Sequence, residues 1–158
     1  MEEFSKPEKI TIKNGDEKII VNLIGGDAKK GLIHIMVKTY VGYESDKTAT
    51  TFFPMGQTVN GKKLPKIIDD ADELKKIIKE AIEKNKDNIK GSNPKIKYTY
   101  EKDGKVIEIE LKFKLENGVY ELRTMYPKGG DGVYRYVNNY GWLKCVGKKG
   151  DKWIFEKE

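Results

Sequence analysis

Near the N-terminus, hydrophobic and polar positions alternate in two short runs that predict a strand hairpin. Residues 9–13 alternate as a half-buried strand does, Asn14-Gly15 is a turn signal, and residues 17–21 form a second apolar run. Gly25-Gly26 then interrupts the pattern, and Asp27 is a potential N-cap for a helix. The apolar face predicted for this helix consists of Leu32, Ile33, Met36 and Val37.

The strongest helical pattern follows a loop-like stretch that extends from residue 40 to residue 61. Asp70 and Glu73 fit a capping box near its start, and a breaker at residues 91–94 lies beyond its predicted end. The apolar positions of this amphipathic helix are Ile67, Ala71, Leu74, Ile78, Ala81 and Ile82.

Three further alternating runs predict an antiparallel meander of strands. They cover residues 95–101, 105–115 and 119–126. Asp103-Gly104 and Asn117-Gly118 join them, and both dipeptides are strong signals for two-residue hairpin turns.

The two turns also predict which residues face each other across the meander. Lys95 is expected opposite Lys112, and Lys112 opposite Arg123. The face expected to take the helix carries Ile96, Tyr98, Ile107, Ile109, Leu111, Phe113 and Leu122. The other face carries Lys95, Lys97, Thr99, Lys112, Lys114 and Arg123. Its cations would repel one another unless they bind an anion or are neutralised by Glu108, Glu110 and Glu121.

The order of these elements predicts an α+β fold in which N-terminal helices pack on a twisted antiparallel β-sheet. Residues 130–158 are β-rich again, with turn signals at residues 138–139 and 149–150, and they predict extra C-terminal strands. A chain of 158 residues is expected to form one domain, residues 1–158.

The composition limits the kinds of partner and functional site that we expect for this chain. The net charge of +6 and the isoelectric point near 9.1 favour an anionic partner, although a lysine-rich proteome would give the same values. Cys145 is the single cysteine and His34 the single histidine, so we expect no disulfide, no zinc site and no cofactor. We find no Gly-rich phosphate loop, no apolar run long enough for a membrane span, and no signal peptide in this sequence.

His34 is the main candidate for acid–base chemistry, because an imidazole exchanges protons near neutral pH. It lies in the apolar run of residues 31–38. A lone histidine on an apolar helix is often structural instead, and both interpretations stay open from the residues alone.

The order of four segments resembles the ribonuclease toxin domains of the barnase/EndoU/colicin/RelE (BECR) superfamily. The segments are the helix with His34, the Thr-Phe-Phe-Pro loop at residues 51–54, the amphipathic helix, and strands that end in Thr124-Met125-Tyr126-Pro127. The resemblance covers residues 28–127, which would form the nuclease core, with residues 128–158 as a β-rich extension. It implies a toxin of the polymorphic or contact-dependent type, secreted or delivered into the cytoplasm of a target cell.

The resemblance also implies a set of site residues for metal-independent cleavage of RNA, with tRNA as one possible substrate. The catalytic set is His34 as base or acid, Lys38 and Arg123 on the phosphate, and Thr124 and Tyr126 as hydrogen-bond donors. The predicted substrate-binding residues are Lys95, Lys97, Lys112 and Thr51. By strict alternation, Thr124 and Tyr126 fall on the core face and Arg123 on the open face, so they share a site only if a bulge re-aims them.

One position departs from the family pattern. Related helices often carry a second histidine five residues after the first, where this chain has Thr39. Either catalysis uses one imidazole, or this chain is inactive, as an engineered knockout would also be.

Two alternatives to the ribonuclease remain. The first is a non-catalytic basic α+β module that binds nucleic acid or an acidic protein. The second is the immunity partner of such a toxin, but the charge of +6 argues against it, because the inhibitor of a basic nuclease is expected to be acidic. The sequence predicts an acidic immunity protein as the partner of this chain and leaves its oligomeric state open.

Overall fold

The computed structural model describes residues 4–42 and 49–158. The elements in its first half are β1 (Glu8–Asn14), β2 (Glu17–Leu23), α1 (Gly31–Met36), a π-helical turn (Val37–Val41), β3 (Thr50–Phe52), β4 (Thr58–Val59) and β5 (Lys62–Lys63). The elements in its second half are α2 (Ala71–Lys84), a 3₁₀ turn (Lys86–Asn88), β6 (Lys95–Lys102), β7 (Lys105–Glu116), β8 (Val119–Gly130), β9 (Tyr134–Val137), β10 (Gly141–Lys149) and β11 (Lys152–Lys157).

The predicted fold class, helices packed on an antiparallel sheet, is wrong. Half of the structure is strand and 19% is helical, with two short helices and a curled mixed sheet. The N-terminal helix is shorter than predicted because the chain stays non-helical up to Gly31, whose φ of +85° is left-handed. The stretch predicted as a loop, residues 40–61, contains two short strands, β3 and β4.

Two sheets and a small hairpin hold the strands. The larger sheet has the order β1-β2-β8-β7-β6, and β2 runs parallel to β8, with Val21 opposite Tyr120. The second sheet has the order β11-β10-β9-β3, and β4 pairs with β5. The parallel β2–β8 pair makes the larger sheet mixed, whereas the sequence predicted an antiparallel one.

The three strands of the meander, β6 to β8, form where the sequence predicted them. Asp103 and Asn117 have φ near +50° and the following glycines near +80°, as two-residue hairpin turns require. The register between β6 and β7 is confirmed, because Phe113 N–H donates to the Pro94 carbonyl in the alignment that places Lys95 opposite Lys112.

Strand β8 changes register along its length. The Asn117-Gly118 turn sets the register of β8 against β7 at its start. Farther along, Asp131 N–H donates to the Val106 carbonyl, whereas the register set by the Asn117-Gly118 turn would place Gly129 there. β8 therefore contains two more residues than its partner over this length, as β-bulges produce.

The chain forms two compact units. The first contains Met1–Ile35, Ala71–Tyr98 and Glu110–Met125, and the second contains Met36–Asp70, Thr99–Ile109 and Tyr126–Glu158. The buried side of α2 in the first unit consists of Leu74, Ile77, Ile78, Ala81 and Ile82. One cluster in the second unit consists of Phe52, Val59, Leu64 and Tyr134, with Tyr136 and Trp142 packed against it.

Among the described residues, no helix combines the length and the apolar character that a membrane span requires.

Candidate functional site

His34 lies on α1, directly after a turn that fixes how the helix begins. Asp27 Oδ1 accepts hydrogen bonds from the N–H groups of Lys29 (2.8 Å) and Lys30 (3.2 Å), which lowers the pKa of this carboxyl. Asp27 therefore caps the turn, and the prediction that it caps the helix is wrong. The first helical N–H groups are satisfied by other means, since Leu32 N–H donates to the Ile24 carbonyl.

The imidazole of His34 is fixed by one hydrogen bond. Its Nδ1 lies 2.8 Å from the carbonyl oxygen of Ala28 in the same turn. A carbonyl oxygen can only accept, so Nδ1 must carry the proton, and Nε2 of the neutral ring keeps its lone pair. The side chain is half-buried, and Nε2 has no hydrogen-bond partner among the residues that the structure describes. This arrangement suits a general base better than a general acid.

The face that α1 presents to the core differs from the predicted one, because Ile35 replaces Ile33 on it and Val37 is only half-buried beyond the end of the helix. Leu32, Ile35 and Met36 are buried, whereas Ile33 is 37% exposed. His34 follows Ile33 along the chain and borders this exposed side, so it is not a fully buried core histidine.

Lys38 and Thr39 lie on the π-helical turn that continues α1. Thr39 is 1% exposed, and its carbonyl accepts a hydrogen bond from Phe53 N–H. A histidine at this position would point into a packed interior, because the neighbouring backbone holds the turn in place. Lys38 is half-buried and makes no ion pair in the described part of the chain.

Arg123, the predicted phosphate ligand, is already bound to carboxylates. Its Nη2 lies 3.0 Å from Glu121 Oε1 and 3.7 Å from Glu116 Oε1, and its Nε donates to Glu121 as well. Lys112 lies 3.9 Å from the buried carboxylate of Glu110. The basic face of the meander is therefore largely neutralised by its own glutamates.

Thr124 and Tyr126 are both half-buried on β8, on either side of the fully buried Met125. Five consecutive residues of β7, from Ile107 to Leu111, are also buried, so both faces of the sheet are covered there and burial does not assign a residue to one face. Their expected place on the core face stays a prediction.

The remaining predicted binding residues are spread over the two units. Lys95 and Lys97 are exposed on β6, and neither forms an ion pair with a described residue. Thr51 is half-buried on β3, opposite Arg135 of β9. His34, Arg123, Thr124, Lys95, Lys97 and Lys112 belong to the first unit, and Lys38, Thr51 and Tyr126 to the second.

Sequence reasoning overlooked two groups of residues. Lys29 and Lys30 are exposed in the turn whose Ala28 carbonyl holds His34, and their adjacency to the histidine in sequence was the available signal. The second group is the C-terminal hairpin, defined here as β10 and β11. Each of its strands contains one of the two tryptophans of the chain together with lysines.

Comparison of the chain with protein-family models, with curated proteins and with solved structures found no match. The resemblance to the BECR superfamily stays a prediction that rests on the order of the sequence segments.

Proposed function

We propose that this chain is an endoribonuclease that cleaves RNA without a metal ion and uses His34 as its general base. One observation carries the proposal: the Ala28 carbonyl orients the imidazole and leaves Nε2 as the acceptor. A base for this reaction needs an unprotonated nitrogen held in a fixed direction and accessible to substrate.

The proposed reaction is attack by the 2′-hydroxyl on the adjacent phosphate. His34 Nε2 takes the 2′-hydroxyl proton, the 2′-oxygen bonds to phosphorus, and the bond from phosphorus to the 5′-oxygen breaks. The products are a 2′,3′-cyclic phosphate and a 5′-hydroxyl. The chain has no second histidine, so the leaving oxygen takes its proton from water, and the hydroxide formed is neutralised by the proton that His34 gives back to solvent.

The turn before α1 supplies positive charge for the phosphate. Lys29 and Lys30 are exposed there, and both contribute to the lowered pKa of Asp27. They replace Arg123 in this role, because the Arg123 guanidinium is occupied by Glu121 and Glu116.

The biological context proposed for this activity is the one that the resemblance to BECR toxin domains implies. We propose a delivered bacterial toxin that acts on RNA in the cytoplasm of a target cell and is neutralised by an acidic immunity protein. The net charge of +6 supports this, since complementary charge speeds the association of a basic nuclease with an acidic inhibitor.

The test is cleavage of total RNA in the presence of EDTA by the wild-type chain and by His34→Ala. Wild type should produce 2′,3′-cyclic phosphate ends, and His34→Ala should lower the rate by about 100-fold or more, as loss of a general base does. Lys18→Gln, an exposed change on β2, serves as the matched control and should cleave at the wild-type rate. Absence of cleavage by wild type, or full activity of His34→Ala, would contradict the proposal.

Thr39→His separates the one-histidine mechanism from an inactivated two-histidine enzyme. Because Thr39 is buried, the larger side chain should lower the thermal stability without raising the cleavage rate. A gain of activity in this variant would show that the natural site needs two imidazoles.

A second candidate function, a non-catalytic module that binds nucleic acid, is favoured by the ion pairs of Arg123. With that guanidinium neutralised, the meander lacks the bidentate phosphate ligand that the catalytic set required. RNA binding without cleavage, equal in wild type and His34→Ala, would identify this function.

A further inference from the structure

Arg135 is half-buried on β9, and its guanidinium forms no ion pair with a described residue. Its Nε is buried and has no hydrogen-bond partner within the described part of the chain. The other arginine of the chain, Arg123, is by contrast paired, with its Nη2 3.0 Å from Glu121 Oε1. Because a guanidinium stays charged at physiological pH, Arg135 loses hydration without gaining an ion pair.

The surroundings of Arg135 disfavour its charge. Burial lowers the pKa of this guanidinium below its ordinary value, and the nearby Cys145 acts in the opposite direction. Desolvation disfavours the charged form of a cation, and no carboxylate of the described residues compensates for it here. An anion bound beside Arg135 would interact with it more strongly than with a fully hydrated lysine, because partial burial lowers the local dielectric constant.

Strand pairing places Arg135 in a row of four residues that crosses the second sheet. Thr51 of β3 and Leu143 of β10 lie directly opposite it, and Leu143 lies opposite Lys157 of β11. Directly opposite residues of antiparallel strands point to the same face of a sheet. We call these four residues the arginine row, and it contains one hydroxyl, two cations and no acid.

The acids at the end of β11 point to the other face of the sheet. Glu156 lies opposite Lys144 of β10, one residue away from the row position of Lys157. Successive side chains of a strand alternate between faces, so Glu156 points away from the arginine row. Glu158 accepts a hydrogen bond from the Tyr134 hydroxyl at 3.1 Å, and Tyr134 also points to that other face, since it lies opposite Lys144.

The guanidinium of Arg135 is held in position by an aromatic ring. Its Cζ lies 4.0 Å from the centre of the Phe155 ring. Phe155 is two residues from Lys157 on β11 and therefore points to the face of the arginine row. A cation that is already oriented loses little conformational entropy when a ligand binds.

Thr51 supplies a second donor beside Arg135. It is half-buried, and its hydroxyl forms no hydrogen bond with a described residue. The Cβ atoms of directly opposite residues lie about 4.5–5.5 Å apart, so the hydroxyl and the guanidinium can contact one ligand.

We propose that Arg135 and Thr51 form a phosphate-binding site for the backbone of the RNA substrate. The inference rests on the proposed function for the identity of the ligand, and it adds a binding site in the second unit to that activity. Arginine and threonine side chains are common donors to the phosphate oxygens of nucleic acids.

The donor set favours a phosphate over a carboxylate of an acidic protein. A carboxylate pairs with the fork of a single guanidinium through both of its oxygens. A phosphodiester is tetrahedral, so its oxygens can accept from the guanidinium and also from a hydroxyl beside it. The side chains of Arg135 and Thr51 provide these two kinds of donor on one face.

The test uses the full chain and a fluorescein-labelled oligouridylate with 2′-O-methyl groups, which the proposed reaction cannot cleave. Anisotropy gives the affinity at several salt concentrations. Arg135→Gln should weaken binding about tenfold near 0.1 M salt and lower the slope of log K against log salt by about 0.7, the value for one cation on a single strand. Arg135→Lys should keep the slope but bind about threefold more weakly than wild type, because an ammonium lacks the planar fork.

The hydroxyl of Thr51 is tested separately. Thr51→Val should weaken binding about threefold and leave the salt slope unchanged, because a hydrogen bond but no charge is lost. Thr51→Ser keeps the hydroxyl and should bind as wild type does.

Lys149→Gln is the matched charge control. Lys149 is exposed in the same sheet and lies opposite Lys152, which is an odd number of residues from Lys157 on β11 and so points to the other face. The affinity of this control should stay within about twofold of wild type, because a solvated lysine away from the site adds only a weak contact.

A local readout comes from the guanidinium Nε–H signals in a nitrogen–proton NMR spectrum. The chain has two arginines, so it gives two such signals, and removal of either arginine assigns both. The oligonucleotide should shift the signal of Arg135 and leave that of Arg123 in place.

An unshifted Arg135 signal in the bound state, or equal losses of affinity in Arg135→Gln and Lys149→Gln, would overturn the proposal. Polyglutamate that shifts the Arg135 signal where the oligonucleotide does not would also overturn it and would identify an acidic protein as the partner. Because the probe cannot be cleaved, binding at Arg135 together with an inactive wild-type chain would reject the proposed function alone. Cleavage by wild type with no loss of affinity in Arg135→Gln would reject this inference alone.

Discussion

The meander and the C-terminal hairpin are both lysine-rich antiparallel strands, but the basic residues of the two regions have different neighbours. On the meander, Lys114 lies 3.2 Å from Glu116, and Arg123 lies 3.0 Å from Glu121. In each of these pairs the acid is two residues from the base on the same strand, and therefore on the same face. At the end of the hairpin, Lys149 faces Lys152 instead.

The two regions also differ in how their apolar residues are used. Alternate positions of the meander, such as Ile96 and Leu111, are at most 2% exposed, whereas the hairpin has no fully buried residue. The count of lysines is thus a poor guide to an anion-binding surface. A better guide is whether an acid lies two positions away on the same strand.

The largest expected effect compares the same truncation in the two regions. Ile96→Ala in the meander should lower the free energy of unfolding by about 2–5 kcal/mol, because it leaves a cavity around a residue that is 2% exposed. Ile154→Ala in the hairpin should cost about 1 kcal/mol or less, since its side chain is half-buried and already contacts water. Urea denaturation of the two variants and wild type measures the difference. Equal losses would show that the hairpin is as much a part of the core as the meander.

The local parts of the fold could be predicted from sequence. Asp103-Gly104 and Asn117-Gly118 form turns because their residues tolerate positive φ. The three strands of the meander and the pairing of β6 with β7 could therefore be predicted. Non-local parts could not be predicted. The parallel contact of β2 with β8 joins residues about 100 positions apart, and β3 joins the second sheet through Tyr134 of β9. Pro127, Gly129 and Gly130 in β8 are residue types that mark irregularities within strands, but they do not specify how many residues the register shifts.

The candidate site was likewise predictable only in part from the sequence. His34 was identifiable because it is the only histidine, but its partner is the backbone carbonyl of Ala28, which has no side-chain signature. The neutralisation of Arg123 was partly visible, since Glu121 lies two residues away on the same strand. The burial of Thr39 was not visible, because it depends on the π-helical turn that follows α1.

The second prediction concerns a double variant in which cations of the meander lose their acidic partners, as Lys149 and Lys152 of the hairpin have none among the described residues. Glu116→Gln with Glu121→Gln removes the carboxylates of Lys114 and Arg123, so both cations become available to phosphate. Affinity for a 2′-O-methyl oligouridylate, which lacks the 2′-hydroxyl and cannot be cleaved by the proposed reaction, should rise about threefold to tenfold, and its salt dependence should steepen. The stability should change by less than about 1 kcal/mol, because these ion pairs are partly exposed.

Glu80→Gln with Glu83→Gln is the matched control for that experiment. Both glutamates are exposed on α2 and form no ion pair in the described part of the chain, and the net charge changes by the same amount. An equal rise in affinity in this control would show that total charge, and not released cations, sets the binding of RNA.

The smallest expected effect concerns the acid at the end of the hairpin. Glu158 accepts a hydrogen bond from Lys62 and another from the Tyr134 hydroxyl, at 3.1 Å. The bond from Lys62 is the main cause of its lowered pKa, followed by the opposing effect of desolvation and then by the Tyr134 bond. Glu158 is therefore engaged at the end of β11 that lies opposite the turn with Lys149 and Lys152.

This contact makes the stability depend on pH in a stated direction. A carboxyl whose pKa is lower in the folded state than its ordinary value of 4.5 stabilises the protein fully above that pH, and the contribution is lost as the pH falls through the folded-state pKa. Glu158→Gln should therefore lower the melting temperature slightly at pH 7 and have no effect at pH 2. Glu156→Gln, an exposed change on the same strand, should follow the wild-type profile. Equal melting temperatures of Glu158→Gln and wild type at pH 7 would show that the contacts of Glu158 with Lys62 and Tyr134 do not stabilise the folded state.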